Sequence, residues 1–246
     1  MPYKKSNFRA SNAFELLHVD LVGPIPESIY GNRYFFTVLD DYSRYGWVIF
    51  LKNKSDTFQS FYNWFNKIKN QFNIRIKSIR SDNGTEFVNN NFFNFFSSYS
   101  IIHQKTVSHN PQSNGRVERF NGTLITAAKA MMNDAKLSHQ FWEDAVNTAN
   151  YIHNIIPHKG INQKIPHELL FKSKVSYNNI HVFGCKIFYY VPKTFRRKFD
   201  NKSLPGIFLG YSYNPSAFKI LNIQTIKLYF LKMLYFLNNP WWLLLK

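Results

Sequence analysis

Three acidic residues in this sequence are placed so that they could serve one reaction. Asp20 lies in the run LLHVDLV, Asp82 opens DNGTEF, and Glu118 sits in NGRVERFNGTL, with 35 residues between the second acid and the third. Three carboxylates suit a site that cleaves or transfers phosphodiesters. Such a displacement develops charge on both the attacking and the leaving oxygen, and two divalent ions about 3.5–4 Å apart can stabilise both. Mg²⁺ takes oxygen ligands and keeps several waters, so few carboxylates are required. An acid in mid-strand can bridge two ions, and two further acids can complete one each. Every one of these residues also has an ordinary reading. Asp20 could be an edge-strand charge and Glu118 a helix-surface partner of Arg116 or Arg119. Asp82 could belong to a simple turn, because Asn-Gly tolerates positive φ. Only the grouping favours chemistry.

The elements that must position these acids follow from periodicity. ELLHVDLV alternates as a strand, with Asp20 facing away from the Leu17 side. Gly and two prolines in GPIPES end it. RYFFTVLDDYSRYGWVIFL predicts two aromatic and β-branched strands around a turn at Asp40–Arg44. A helix follows, with Phe58, Phe61, Tyr62, Phe65, Ile68 and Phe72 at helical spacing, Ser55 as its N-cap and Asp56 in its first turn. IRIKSIRSD predicts a fourth strand ending at Asp82, NNFFNFFSSYS a short helix, and IIHQKT a fifth strand. After the polar loop VSHNPQSN, a helix from Asn114 carries the stripe Val117, Phe120, Leu124, Ala128 and Met131, with Glu118 at its edge. SHQFWEDAVNTANYIHNII predicts one more helix, capped by Ser138 and stopped by Pro157. Sequential strands favour an antiparallel meander, and strands joined through helices favour parallel pairing. The expected fold is therefore α/β, a mixed sheet flanked by helices, followed by a small β-rich module. The expected division is an edge segment 1–13, a core 14–175, a β-rich region 176–224 and an atypical apolar tail 225–246.

Composition narrows the partner. The 246 residues carry 45% hydrophobic side chains and a formal net charge of +17. A core is feasible, and the charge points to a polyanion, most simply nucleic acid, with a membrane surface as the competitor. Lys193, Arg196, Arg197, Lys198 and Lys202 form a tight basic group, for which a solvated loop is the ordinary alternative. The single Cys185 excludes an intramolecular disulfide. There is no CxxC pair, and no histidine pair has the spacing of a structural zinc motif, so no zinc is expected.

Taken together, LLHVDLVGPIP, FFTVLDDYSRYGWVIFL, IRSDNGTEF, NPQSNGRVERFNGTL, PHELLF, VFGC and IFLGY identify a resemblance. The chain resembles the integrase of copia-type long-terminal-repeat retrotransposons, a part of their Pol polyprotein, over roughly residues 14–213. The resemblance implies a ribonuclease H-like core. It implies Asp20, Asp82 and Glu118 as catalytic, metal-binding residues holding two Mg²⁺ or Mn²⁺ ions, and transfer of a DNA 3′-hydroxyl onto target DNA with associated end cleavage. Asn83, Gly84 and Thr85 would shape the wall beside Asp82. Pro111, Gln112, Ser113, Asn114 and Gly115 would form the active-site loop. Asn83, Gln112, Asn114, Arg116, Arg119 and Asn121 would touch DNA, as would Lys193, Arg196, Arg197 and Lys198. The partners implied are element ends, target DNA and further copies of the chain in a homo-multimer, with no membrane. The place of action implied is the nucleus, reached from a cytoplasmic particle.

The chain also departs from that pattern. The family's usual N-terminal His/His/Cys/Cys zinc module is not seen, so the chain is expected to start just after it. Gly122 stands where a basic residue is common; mid-helix it costs about 1 kcal/mol relative to Ala. From residue 225 the composition changes abruptly to IKLYFLKMLYFLNNPWWLLLK, which suggests an out-of-frame continuation; its apolar runs are too interrupted for a span of roughly 20 apolar residues. Three alternatives stay open: a catalytically inactive DNA-binding remnant, a ribonuclease H-type nuclease, and a basic membrane-associated protein.

Overall fold

In the computed structural model, residues 9–105, 114–212, 217–225, 227–231 and 234–236 are described. The alternation around Asp20 does form a strand. β1, Leu16–Val22, pairs antiparallel with β2, Tyr34–Asp40, which pairs antiparallel with β3, Gly46–Leu51. Arg44, at φ 63°, makes the left-handed step in the turn between β2 and β3. Crossovers then change the pairing. β4, Ser78–Ser81, follows helix α1, Thr57–Phe72, and lies parallel to β1. β5, Ile102–Lys105, follows helix α2, Asn90–Ser98, and lies parallel to β4. The order β3-β2-β1-β4-β5 places β1 at the centre, with antiparallel neighbours on one side and parallel ones on the other. This is the mixed α/β sheet that the sequence predicts.

One face of the sheet is sealed by aromatic packing. Leu17, Val19, Phe36, Val38 and Ile79 point from the strands into a cluster with Phe61, Trp64, Phe65, Phe92 and Phe95 from α1 and α2. Phe61 and Phe65 meet Phe95 edge-on at centroid distances of 5.2 and 4.9 Å. Such pairs add about 0.5–1.5 kcal/mol each beyond the area they bury. Trp64, absent from the expected stripe, is buried in this cluster, whereas Tyr62 is 37% exposed.

Three local expectations are corrected. Ser55 does not cap α1: Asn53 precedes a 3-10 turn, Lys54–Asp56, and Asp56 is the N-cap of the helix. The Asp56 carboxylate accepts the Asn53 N–H at 3.0 Å, so the chain tightens one turn earlier than a simple cap would require. In α3, Gly115–Asp134, the stripe ends on buried Met132 rather than Met131, since Met132 follows Ala128 by four residues and stays on the same face. Ser138 does accept an N–H from Gln140, but it caps a 3-10 turn, His139–Phe141, that leads into α4, Trp142–Ile155. Pro166 stands in the first turn of α5, Pro166–Phe171.

The chain divides into two compact units. One comprises residues 1–125 with 152–175, and the other residues 126–151 with 176–246. In the second unit, β6 Lys186–Tyr190, β7 Ser203–Tyr211, β8 Phe218–Asn222, β9 Leu228–Leu231 and β10 Leu234–Phe236 form an antiparallel sheet of order β10-β6-β7-β8-β9. The apolar segment after residue 225 thus supplies two of its strands. Gly184 and Gly210 adopt φ +80° and +122°, and a Cβ on either would fall 2.2 Å from Ala135 Cβ or Thr148 Oγ1. Only glycine permits both the backbone and that close approach. Tyr211 stacks on Tyr151 at 3.8 Å, and Lys219 pairs with the buried Asp144. Among the described residues, no helix is long and apolar enough to cross a membrane.

Candidate active site

Asp20 and Asp82 come together through strand register. β1 and β4 run parallel with His18 opposite Arg80, and each acid lies two residues further along its own chain. The two are therefore level at the carboxyl ends of adjacent central strands, where open α/β sheets gather their sites. Asp20 is held by two donors: Leu21 N–H to Oδ1 and Asn121 Nδ2 to Oδ2, both at 2.9 Å. Burial pushes its carboxyl up to about 6; the Leu21 and Asn121 donors oppose that rise, and the charges of Asp82 and Glu118 add to it. Glu118, in the first turn of α3 and exposed, is thus within electrostatic reach of Asp20.

The turn reading of Asp82 holds as well. Its Oδ1 accepts the Gly84 N–H at 3.0 Å, and the Gly84 carbonyl accepts the N–H groups of Phe87 and Val88. Buried Phe87 then pins the turn to the aromatic core. Ser81, which precedes Asp82, donates to the Asp82 carbonyl at 2.7 Å and contacts His103 Nε2 at 2.8 Å. Among the described residues, no three His, Cys, Asp or Glu side chains are drawn close enough to hold one metal ion. The acids converge without closing a ligand shell. An all-oxygen set whose central carboxyl is raised by burial first and by neighbouring like charge second fits a hard divalent cation, which would offset both.

The flanking residues divide into several roles. Asn121 and Asn114 are buried, at 4% and 3% exposure. Asn121 grips Asp20, and Asn114 donates to the Val19 carbonyl at 3.4 Å. Both asparagines therefore fasten the start of α3 to β1, a role different from the DNA contact expected of them. Arg116 pairs with Asp41 rather than with Glu118. Arg119 is exposed, and its Nε donates to the Gly115 carbonyl at 2.8 Å. Asn83 is exposed beside Asp82. Pro111, Gln112 and Ser113 lie outside the described residues. Lys193, Arg196, Arg197 and Lys198 lie in the second unit, between β6 and β7.

Sequence reasoning missed the most connected side chain near this site. Asp41 is fully buried. Its Oδ1 takes His18 Nε2 at 2.7 Å, Arg44 Nη1 at 3.0 Å and Arg116 Nη1, while Oδ2 accepts the Ala10 N–H at 2.8 Å. Burial would raise the Asp41 carboxyl, but His18, the Ala10 N–H and Arg44 together hold it well below the usual range. Burial keeps His18 neutral despite Asp41. A carboxylate can only accept, so the proton sits on Nε2, leaving buried Nδ1 as a bare lone pair. The adjacent pair Asp40-Asp41 in a turn, with His18 two residues before Asp20, was the available signal.

Known proteins resemble this chain in sequence and in fold. Residues 10–111 match the family model described as integrase core domain, which includes Asp20 and Asp82 and ends before Glu118. Residues 185–241 match the retroviral polymerase SH3-like domain. The Retrovirus-related Pol polyprotein from transposon TNT 1-94 of Nicotiana tabacum is 39% identical over 219 residues, 89% of this chain and 16% of that protein. The corresponding polyprotein from transposon RE1 of Arabidopsis thaliana is 30% identical over 239 residues, 97% of this chain and 16% of that protein. The chain therefore spans about a sixth of the length of these relatives. Two solved structures share the fold. A chain of a simian T-cell lymphotropic virus intasome, in complex with PP2A regulatory subunit B56 gamma, matches with TM-score 0.53 at 17% identity, covering 95% of this chain and 82% of that one. The HTLV-2 integrase catalytic core domain in complex with magnesium matches with TM-score 0.50 at 19% identity, covering 65% of this chain and 99% of that one.

Proposed function

We propose that the chain is an integrase core of the kind carried by retrovirus-related Pol polyproteins, and that it joins a DNA 3′-hydroxyl to a phosphodiester of target DNA and, with water as nucleophile, cleaves DNA ends. The observation that carries this reading is the convergence at β1 and β4: Asp20 and Asp82 level on adjacent parallel strands, with the charge of Glu118 felt at Asp20. Mg²⁺ or Mn²⁺, two ions per site, would be held by Asp20, Asp82 and Glu118 and would supply charge stabilisation at the attacking and leaving oxygens. The chain's own residues do the rest. Asn121 fixes the rotamer of Asp20, and the Gly84 N–H fixes that of Asp82. Asn114 and the Arg116–Asp41 pair hold the helix start that presents Glu118. Asn83 and Arg119, both exposed, would meet the DNA backbone. The magnesium bound to the HTLV-2 core supports the choice of cation. The assembly would be a homo-multimer on paired DNA ends, acting in the nucleus after passage from a cytoplasmic particle.

A second reading is a remnant that binds DNA without chemistry. The open arrangement of the acids favours it. Oligonucleotide duplexes incubated with Mg²⁺ or Mn²⁺ separate the two readings. Joined and nicked products from the parent chain, lost in Asp82→Asn and in Glu118→Gln, establish catalysis by these acids. Equal DNA binding by all three proteins with no product establishes the remnant.

A further inference from the structure

The β6–β7 connection of the second unit carries a feature that the proposed chemistry does not use. Residues 191–202, VPKTFRRKFDNK, hold five basic side chains against one acid, Asp200. Two phenylalanines in this short stretch are almost bare: Phe195 is 80% exposed and Phe199 97%. A lone exposed apolar residue needs no explanation, but two large rings on a basic loop do.

The loop displays them on an ordered frame. Val191 N–H donates to the Lys202 carbonyl at 3.0 Å and closes its base. Pro192 O accepts the Phe195 N–H at 3.0 Å, and Asp200 Oδ2 accepts the Arg197 N–H at 2.7 Å. The surface extends onto β6, whose outward residues alternate with buried ones. Phe188 and Tyr190 are 37% and 38% exposed there. Arg196 donates to the Val191 carbonyl at 2.7 Å, and its guanidinium lies 5.6 Å from the centre of the Tyr190 ring. Exposed rings alternating with cations suit a strand whose bases are open: phosphates meet the charges, and base faces stack on the rings. Duplex DNA hides those faces and offers only phosphates to such a loop.

We infer that this loop is a binding site for single-stranded DNA, with Phe195 and Phe199 as its stacking platforms. The inference rests on the reading above that DNA is the partner. It specifies unpaired strand, such as a frayed or processed end, as the form this unit takes.

The test is fluorescence anisotropy of the full chain with a labelled single-stranded oligonucleotide, its blunt duplex and anionic phosphatidylserine vesicles, without divalent metal. Phe195→Ala/Phe199→Ala weakens single-strand binding by about tenfold or more, leaves duplex binding within about twofold, and leaves the salt slope unchanged. Phe195→Trp/Phe199→Trp retains single-strand affinity, since a larger ring still stacks. Lys193→Ala/Arg197→Ala/Lys198→Ala weakens both DNA forms and flattens the salt dependence. Equal losses on single strand and duplex, no loss on either, or a loss seen only with vesicles overturns the inference. Because no metal is present, failure of strand transfer in Asp82→Asn leaves this result untouched, and the two readings fail separately.

Discussion

Asp20 and Asp41 illustrate opposite uses of a buried carboxylate. Asp20 is partly buried, and that desolvation, with a smaller addition from the charges of Asp82 and Glu118, raises its folded-state affinity for a proton. The stability tied to its protonation is present below the unfolded value near 3.8 and is lost as pH rises through about 6. At neutral pH the ionised group is therefore a cost. Asp20→Asn should abolish strand transfer while raising stability at pH 7 by about 1–2 kcal/mol, allowing for its partial exposure. Urea denaturation beside the product assay checks this; a destabilised variant would contradict the origin assigned to the shift. Asp41 is the reverse case. Its affinity for a proton is depressed, so its contribution is present above about 3.8 and lost as pH falls through the lower folded value. Asp41→Asn leaves Arg44 and Arg116 without their counter-charge and His18 Nε2 without its anionic acceptor, and should cost about 3–5 kcal/mol at pH 7. The penalty should stay nearly constant from pH 7 down to about pH 4 and shrink only below the unfolded value of 3.8, measured by the same denaturation.

At the scale of elements, α3 carries Glu118 and also holds a glycine in its interior. Gly122 is exposed in mid-helix, and a Cβ there meets nothing within 4 Å. Gly122→Ala should therefore stabilise the chain by about 0.5–1 kcal/mol, read as a rise in melting temperature with strand transfer retained. The β-rich unit gives the opposite forecast for a glycine. Gly184→Ala must place a methyl against Ala135 from a left-handed backbone. A loss of about 2–3 kcal/mol is expected from overpacking and strain combined. If Gly184→Ala melts like the parent, the close approach to Ala135 is not a stabilising feature of this unit.

For the whole molecule, charge and chain path set the expectations. A protein of net charge +17 should bind DNA with strong salt dependence, losing affinity by about 0.9 log units per log unit of salt for each phosphate neutralised. The path bears on which pieces fold. Residues 126–151 supply Ala135, Asp144, Thr148 and Tyr151 to the unit that also contains 176–246. A fragment 176–246 should lack a cooperative thermal transition by circular dichroism, and a fragment 126–246 should show one. Cooperative melting of the shorter piece would mean that the sheet is self-sufficient and that the helical segments only decorate it.

Much of this was legible without coordinates. Strand alternation in LLHVDLV, the DNG turn, and helical spacing from Val117 to Ala128 are local patterns, because backbone period and turn stereochemistry depend on near neighbours. They sufficed to propose Asp20, Asp82 and Glu118 as a set and to anticipate a mixed sheet. What could not be read was set by distance in sequence. Nothing local makes β4 a parallel neighbour of β1, which is what brings Asp82 level with Asp20. Nor does any local pattern say that Arg116 turns from Glu118 to a carboxylate 75 positions away, or that Asn114 and Asn121 turn inward to brace β1. Those choices are made by burial: a side chain taken out of water must find whatever partner the tertiary fold supplies.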